Sequence, residues 1–248
     1  MEKKYWLLLN MVCIITISFT QEIKTVKHKL SSNLSEMYEV LKTDKKIKNG
    51  SYVVLDDNKK ILVRGNYKNN KKDSIWAYYS ANGTVVQRYD YGEMKLLEDD
   101  IDNATIVQPS YELIQADSST TNKDIEPPIK IGGNNYGFYL LYDVKLIPVW
   151  LKTETRFSSP TMSFILTVSP IGKLENWDVK ITEADGKTTV ENYSIKDLPN
   201  DAYEFIPAKV NGVTVKSKLI LSVVLHINQD FNPSVGSNNM MVTPPKND

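Results

Sequence analysis

A single cysteine, Cys13, and two histidines, His28 and His226, are all that this 248-residue chain holds of the side chains that most often bind metals or form crosslinks. One cysteine excludes a disulfide framework and any Cys-based zinc site, and two histidines leave little for a His cluster, so neither a metal nor a cofactor is expected. Net charge is also missing. Thirty Lys and Arg are matched by thirty Asp and Glu, which removes the general electrostatic basis for binding nucleic acid and confines any charged site to a local patch. The apolar run from Tyr5 to Phe19 is interrupted by Asn10 and is shorter than the roughly 20 residues that span a bilayer as a helix. What is there, 41% apolar and 24% charged residues, is the composition of a foldable chain.

The first 20 residues carry a basic start (Lys3, Lys4), that short apolar run, and then small or polar residues, which is the pattern of a secretory signal peptide. Ser18 and Thr20 suit cleavage before Gln21; an uncleaved signal-anchor is the competing reading, and membrane association is expected only in that case. Cys13 does not fit a lipoprotein site, because Asn10-Met11-Val12 precede it and Ile14-Ile15 continue the apolar run. Export to the periplasm or cell envelope of a Gram-negative-type bacterium is the expected localisation.

Residues 35–97 read as a β-meander, short strand-like runs broken by Asn, Asp, Gly and Lys turns. The meander repeats at 24 residues: Tyr52 corresponds to Trp76 and Tyr67 to Tyr91, so hairpin units that cannot bury their own apolar faces must share a sheet. The segment Arg64-Gly65-Asn66-Tyr67 through Trp76-Ala77-Tyr78-Tyr79-Ser80-Ala81-Asn82-Gly83 resembles the MORN-like repeat of the YwqK antitoxin-type family, with Asn70 and Ser74 where that family has glycine. The resemblance implies a recognition or spacer module rather than chemistry. Glu39 to Lys72 carries ten basic and four acidic residues, a face that suits either anionic head groups and sugars or simple protection of sheet edges. The aromatic strip Trp76, Tyr78, Tyr79, Tyr89 and Tyr91 suits a carbohydrate or lipid surface if exposed, and cross-strand packing if covered.

Residues 98–125 read as a linker, with an acidic run at Glu98 to Asp102 that lacks the glycine and distal glutamate of an EF-hand. Beyond it the strands are longer. Phe164, Leu166 and Val168 alternate with Ile165 and Thr167, and the odd positions from Val213 to Ile227, except Ser217, are apolar, which predicts one long strand. A helix is placed between Thr188 and Leu198. Pro128-Ile129-Lys130-Ile131-Gly132-Gly133, then Tyr139-Leu140, and later Phe205-Ile206-Pro207-Ala208-Lys209-Val210-Asn211-Gly212, resemble the signposts of the TonB C-terminal domain, covering residues 126–228. The fold class is then α+β, mostly β: a hairpin-repeat meander followed by an antiparallel sheet with one or two helices on one face, and a disordered tail over 229–248.

That resemblance implies a peptide-binding module acting by β-augmentation, in which an extended partner segment adds to a sheet edge. Applied to the long strand, it makes Lys218, Ile220, Ser222, Val224 and His226 the partner-binding side chains. The expected partner is an envelope protein or peptide, an outer-membrane receptor among the candidates. A TonB-type energy transducer is the alternative, although the chain shows no Glu-Pro or Lys-Pro rod. No nucleophile elbow, phosphate loop or zinc spacing accompanies His28 or His226, so no enzyme and no catalytic residue is expected.

Overall fold

The computed structural model describes residues 22–100, 107–114, 124–147, 159–227 and 233–235; the signal segment lies outside them. The first half is a seven-stranded antiparallel meander whose strands lie side by side in chain order: β1 (Ile23–Lys29), β2 (Leu34–Leu41), β3 (Lys48–Asp56), β4 (Ile61–Lys68), β5 (Lys71–Tyr79), β6 (Val85–Asp90) and β7 (Lys95–Asp99). It begins before residue 35, because β1 pairs along its length with β2. The 24-residue repeat becomes a ring ladder. Tyr52 and Trp76 lie 5.0 Å apart, Tyr67 and Trp76 5.3 Å, Trp76 and Tyr91 5.4 Å. Trp76 is fully buried, Tyr52 and Tyr78 nearly so, and Tyr67 and Tyr91 pack half-buried against the same core. Packing therefore accounts for these rings, and they form no exposed strip.

Gly65 makes that ladder possible. It pairs with Tyr52, and a Cβ on it would sit 2.2 Å from the Trp76 ring. The two positions where the resemblance expects glycine also explain themselves: Asn70 and Ser74 both hold positive φ, 66° and 59°. Ser74 lies in a stretch of β5 where the register with β4 shifts, and its hydroxyl donates to the Asp73 carboxylate at 2.9 Å.

The second half builds a six-stranded sheet in the order β13-β12-β11-β17-β18, with the sixth strand, β8, also on β17. Its strands are β8 (Gln108–Leu113), β11 (Thr161–Val168), β12 (Leu174–Thr182), β13 (Thr188–Tyr193), β17 (Ser217–Ile227) and β18 (Pro233–Val235). Two small ladders complete it: β9 (Ile125–Glu126) with β15 (Ala208–Val210) and β16 (Val213–Val215), and β10 (Ile129–Lys130) with β14 (Phe205–Ile206). One sheet face is the core: Met162, Phe164, Leu166 and Val168 on β11 pair with Ile181, Val179, Trp177 and Leu174 on β12, and with Val223, Leu221, Leu219 and Ser217 on β17.

Among the described residues one α-helix, α1 (Asn134–Leu141), is present, and it is the middle layer. Its Tyr136 ring meets Tyr78 of the meander at 5.9 Å, and its Phe138 ring stacks on Phe164 of the second sheet at 4.7 Å. The turn between β1 and β2 satisfies carbonyls at its C-terminal end: Ser31 donates to Tyr139 O at 3.2 Å, and Ser32 and Asn33 to Tyr142 O at 2.9 Å. The two halves thus share one hydrophobic core.

Several expectations are corrected. The segment placed as a linker over 98–125 contains β8 and the start of β9, whose exposed residues show no apolar alternation. The helix expected over Thr188–Leu198 is the strand β13, because Thr188-Thr189-Val190 is a β-branched run and Tyr193 packs its ring 5.1 Å from Trp177 across the pair. The single long strand divides at Lys216: Val213 is exposed and belongs to the small ladder, while Ser217 is fully buried and starts β17. The tail contributes β18, paired with Leu225–Ile227; the rest of it lies outside the described residues.

Two substitutions test this packing. Trp76→Ala should lower stability in denaturant unfolding by about 3–5 kcal/mol, the cost of emptying a buried aromatic site. Ser74→Gly should raise it by about 0.5–1 kcal/mol, since relief of a left-handed backbone outweighs the greater unfolded-state freedom of glycine. An unchanged midpoint in either variant contradicts the corresponding reading.

Candidate functional site

Where the meander meets the C-terminal half, a charged network is buried. Lys72, at the start of β5, places Nζ 2.7 Å from Asp201 Oδ1 and 2.7 Å from Glu204 Oε2, and donates to the Tyr91 hydroxyl at 2.9 Å. Tyr136 of α1 donates to the other Asp201 oxygen at 2.8 Å, and Tyr91 donates to Glu204 at 2.7 Å. Tyr78 then supplies the proton of its 3.1 Å contact with the Tyr91 oxygen. Burial alone would raise the Asp201 carboxyl, but Lys72, the Tyr136 hydroxyl and Lys130 hold it below its ordinary 3.8. Burial would likewise lower the Lys72 ammonium, and the two carboxylates keep it above 10.5.

Two further buried polar groups lie at this junction, and the second of them, Gln87, bonds across it. Lys130 is 1% exposed and donates to the carbonyls of Ile131, Asp201 and Glu204 at 2.9, 2.6 and 2.9 Å, matching the three hydrogens of an ammonium. Burial brings it down to about 7, with Glu204 and Asp201 opposing. Its stem lies over Gly137, where a Cβ would come within 2.8 Å. Gln87 of β6 uses its side-chain amide like a strand neighbour, accepting from Gly132 N and donating to Lys130 O at 3.2 Å and to Asp99 at 2.9 Å. None of these three residues stood out in the sequence, because each is defined by a partner distant along the chain.

Of the side chains expected to bind a partner, Lys218, Ile220, Ser222 and Val224 line the β17 face opposite the core. Lys218 lies 3.4 Å from Glu112, Ser222 bonds Ser163 at 2.8 Å, Ile220 pairs with Ile165, and Val224 is 41% exposed. His226 pairs through its backbone with Ser234; its side chain lies outside the described residues. The open edge expected for this strand is not found. β11 flanks β17 on one side, and β8 and β18 flank it on the other. β8 pairs Gln108–Leu113 with Ser217–Ser222 while none of its own residues is buried. Pro109 and Tyr111 of β8 also wall an apolar hollow of about 180 Å³ shared with Val86, Pro128, Ile129 and Leu219.

A second, polar cleft of about 300 Å³ opens between β1–β4 and the segment Asp197–Asp201, with His28 on its rim 3.5 Å from Glu36. Among the described residues no group of three or more His, Cys, Asp or Glu could hold a metal, and no helix is long and apolar enough to cross a membrane. No family model, curated protein or solved structure matches the chain.

Replacing Lys72 with Met should cost about 3–5 kcal/mol at neutral pH, because two carboxylates lose their counter-ion in a buried site. The folded-state Asp201 pKa lies below its unfolded value, so its contribution is present above about 3.8 and lost as pH falls through the lower folded value. The deficit of Lys72→Met in urea unfolding should therefore be largest near neutrality and shrink below pH 3.8. A deficit independent of pH would mean that the ammonium contributes packing alone.

Proposed function

We propose that the chain is an exported cell-envelope binding protein, without enzymatic activity, that takes an extended segment of a protein partner as an added strand beside β17. The reading combines the signal-peptide pattern of residues 1–20 with the resemblance of the C-terminal half to the TonB C-terminal domain. The observation that carries it is β8. This segment lies far upstream of β17 in sequence, yet it adds to β17 in antiparallel register along Ser217–Ser222. This pairing supports the reading, since the flank accepts a strand that is remote in sequence.

β8 is also held with little apolar burial of its own. Its attachment is the backbone ladder, the Lys218–Glu112 contact and the buried Val107 at its start. Local opening free energies are lowest where few apolar contacts back the hydrogen bonds. A partner strand pairing with β17 in place of β8 would gain the same main-chain bonds, and Lys218, Ile220 and Ser222 would select its side chains.

Proline at Ser110 tests this by removing one backbone donor from β8 and disturbing its pairing. Alternate amides between Ser217 and Ser222 should exchange at least about tenfold faster in Ser110→Pro, and a synthetic peptide of the 107–114 sequence should restore their protection. Amides that stay protected without β8, or that no peptide restores, would rule out this flank as the binding edge.

A further inference from the structure

The 24-residue repeat places Lys48 first in β3 where Lys72 is second in β5, and each ammonium lies over repeat aromatics. Lys72 Nζ is 4.7 Å from both Trp76 and Tyr91; Lys48 Nζ is 4.0 Å from Tyr38, 5.2 Å from Tyr52 and 5.1 Å from Tyr67. The equivalence ends at their oxygen partners. Lys72 has three acceptors for its three hydrogens, whereas Lys48 has one among the described residues, Glu36 Oε2 at 3.2 Å. Beside Lys48 lies the polar cleft, and at the equivalent place beside Lys72 stand Asp201 and Glu204.

We propose that this cleft binds a carboxylate ligand, seated on Lys48 as Glu204 is seated on Lys72, against the walls formed by Tyr52 and Tyr67. The charges facing it permit this. Glu36 is bound by Lys48 and lies beside His28, and Asp201 has both oxygens engaged, one by Lys72 and one by Tyr136. The acid left without a counter-ion among the cleft walls is the exposed Asp197 on the rim. It disfavours a bare dianion and favours a carboxylate with a hydrogen-bond donor next to it, as in an N-acylated amino acid or the end of a peptide chain. Charge-assisted hydrogen bonds of this kind are about twice as strong as neutral ones, and the aromatic walls limit competing water.

The experiment titrates the full mature chain with N-acetylalanine, trialanine and trialanine amide, following Tyr52, Tyr67 and Lys48 signals by NMR. The two free acids should give saturable shifts at millimolar concentration, and the amide should bind at least about tenfold more weakly. Lys48→Arg should retain binding and Lys48→Met should lose it. Asp197→Ala, an exposed change at the rim that leaves Lys48, Tyr52 and Tyr67 in place, should narrow the preference for these acids over plain acetate. Tighter binding of trialanine would identify a chain end as the ligand, and equal binding a free small acid. Equal shifts with acid and amide, no saturable shift, or unchanged binding in Lys48→Met would overturn the proposal.

Discussion

The ammonium of Lys72, held between Asp201 and Glu204, is the contact on which the architecture depends. A charge taken out of water must find its partners at hydrogen-bond distance or shift its protonation. Here one lysine from a meander hairpin answers two acids from the turn that precedes β14. A weak alignment of the two halves would leave charges of both signs buried and unpaired. The network therefore fixes their relation more sharply than the aromatic contacts around it, which tolerate small displacements. The meander is consequently part of the same body as the C-terminal sheet. A spacer, which the repeat resemblance also allowed, would have no such buried junction.

Around that junction the halves exchange the polar groups each cannot satisfy alone. Serines and an asparagine of the first meander turn take up carbonyls at the end of α1, and Gln87 completes the backbone of Lys130 and Gly132. Lys130 in turn ties the Gly132-Gly133 segment to the carbonyls of Asp201 and Glu204. Each of these groups is at least partly buried, with its partners provided from the other half or from a remote turn, which is the condition for a polar interior to specify one arrangement rather than weaken it.

What could be read from the sequence follows from range. The meander and its 24-residue period were legible because stacked hairpins force aromatics to recur at fixed spacing, whereas the burial of Trp76 decided between two readings that the sequence left open. The core alternation of β11 and β17 was legible for the same local reason. The junction was not, since nothing near Lys72 in the sequence distinguishes it from the surface lysines beside it. β8 was hidden differently: Gln108–Leu113 has no apolar face to read, because its place is set by the vacant ladder of β17 rather than by burial. β13 was mistaken for a helix because its one exposed valine and its tyrosine happen to fall at a spacing compatible with a thin stripe, while the β-branched run decided the outcome. The edge expected on β17 was a sound inference about strand type that lacked knowledge of its neighbours.

The same reasoning separates what the two repeat units do. Equivalent repeat positions, with a lysine over aromatic rings, receive different surroundings because the C-terminal half leans on the second unit with two acids and on the first with a cleft. At Lys72 the acceptors come from the chain, and the lysine becomes structural. At Lys48 one acceptor, Glu36, comes from the described residues, and the cleft that Lys48 lines with Tyr67 and Asp197 lies beside it. A repeat that duplicates a cation and then completes only one copy leaves the other with unused donors in a partly desolvated setting, where each hydrogen bond gained by a ligand is worth more than it would be on an open surface. The asymmetry arises from where the turn Asn200–Tyr203 lands on the sheet, and so the contact that holds the halves together also determines which lysine is left to bind.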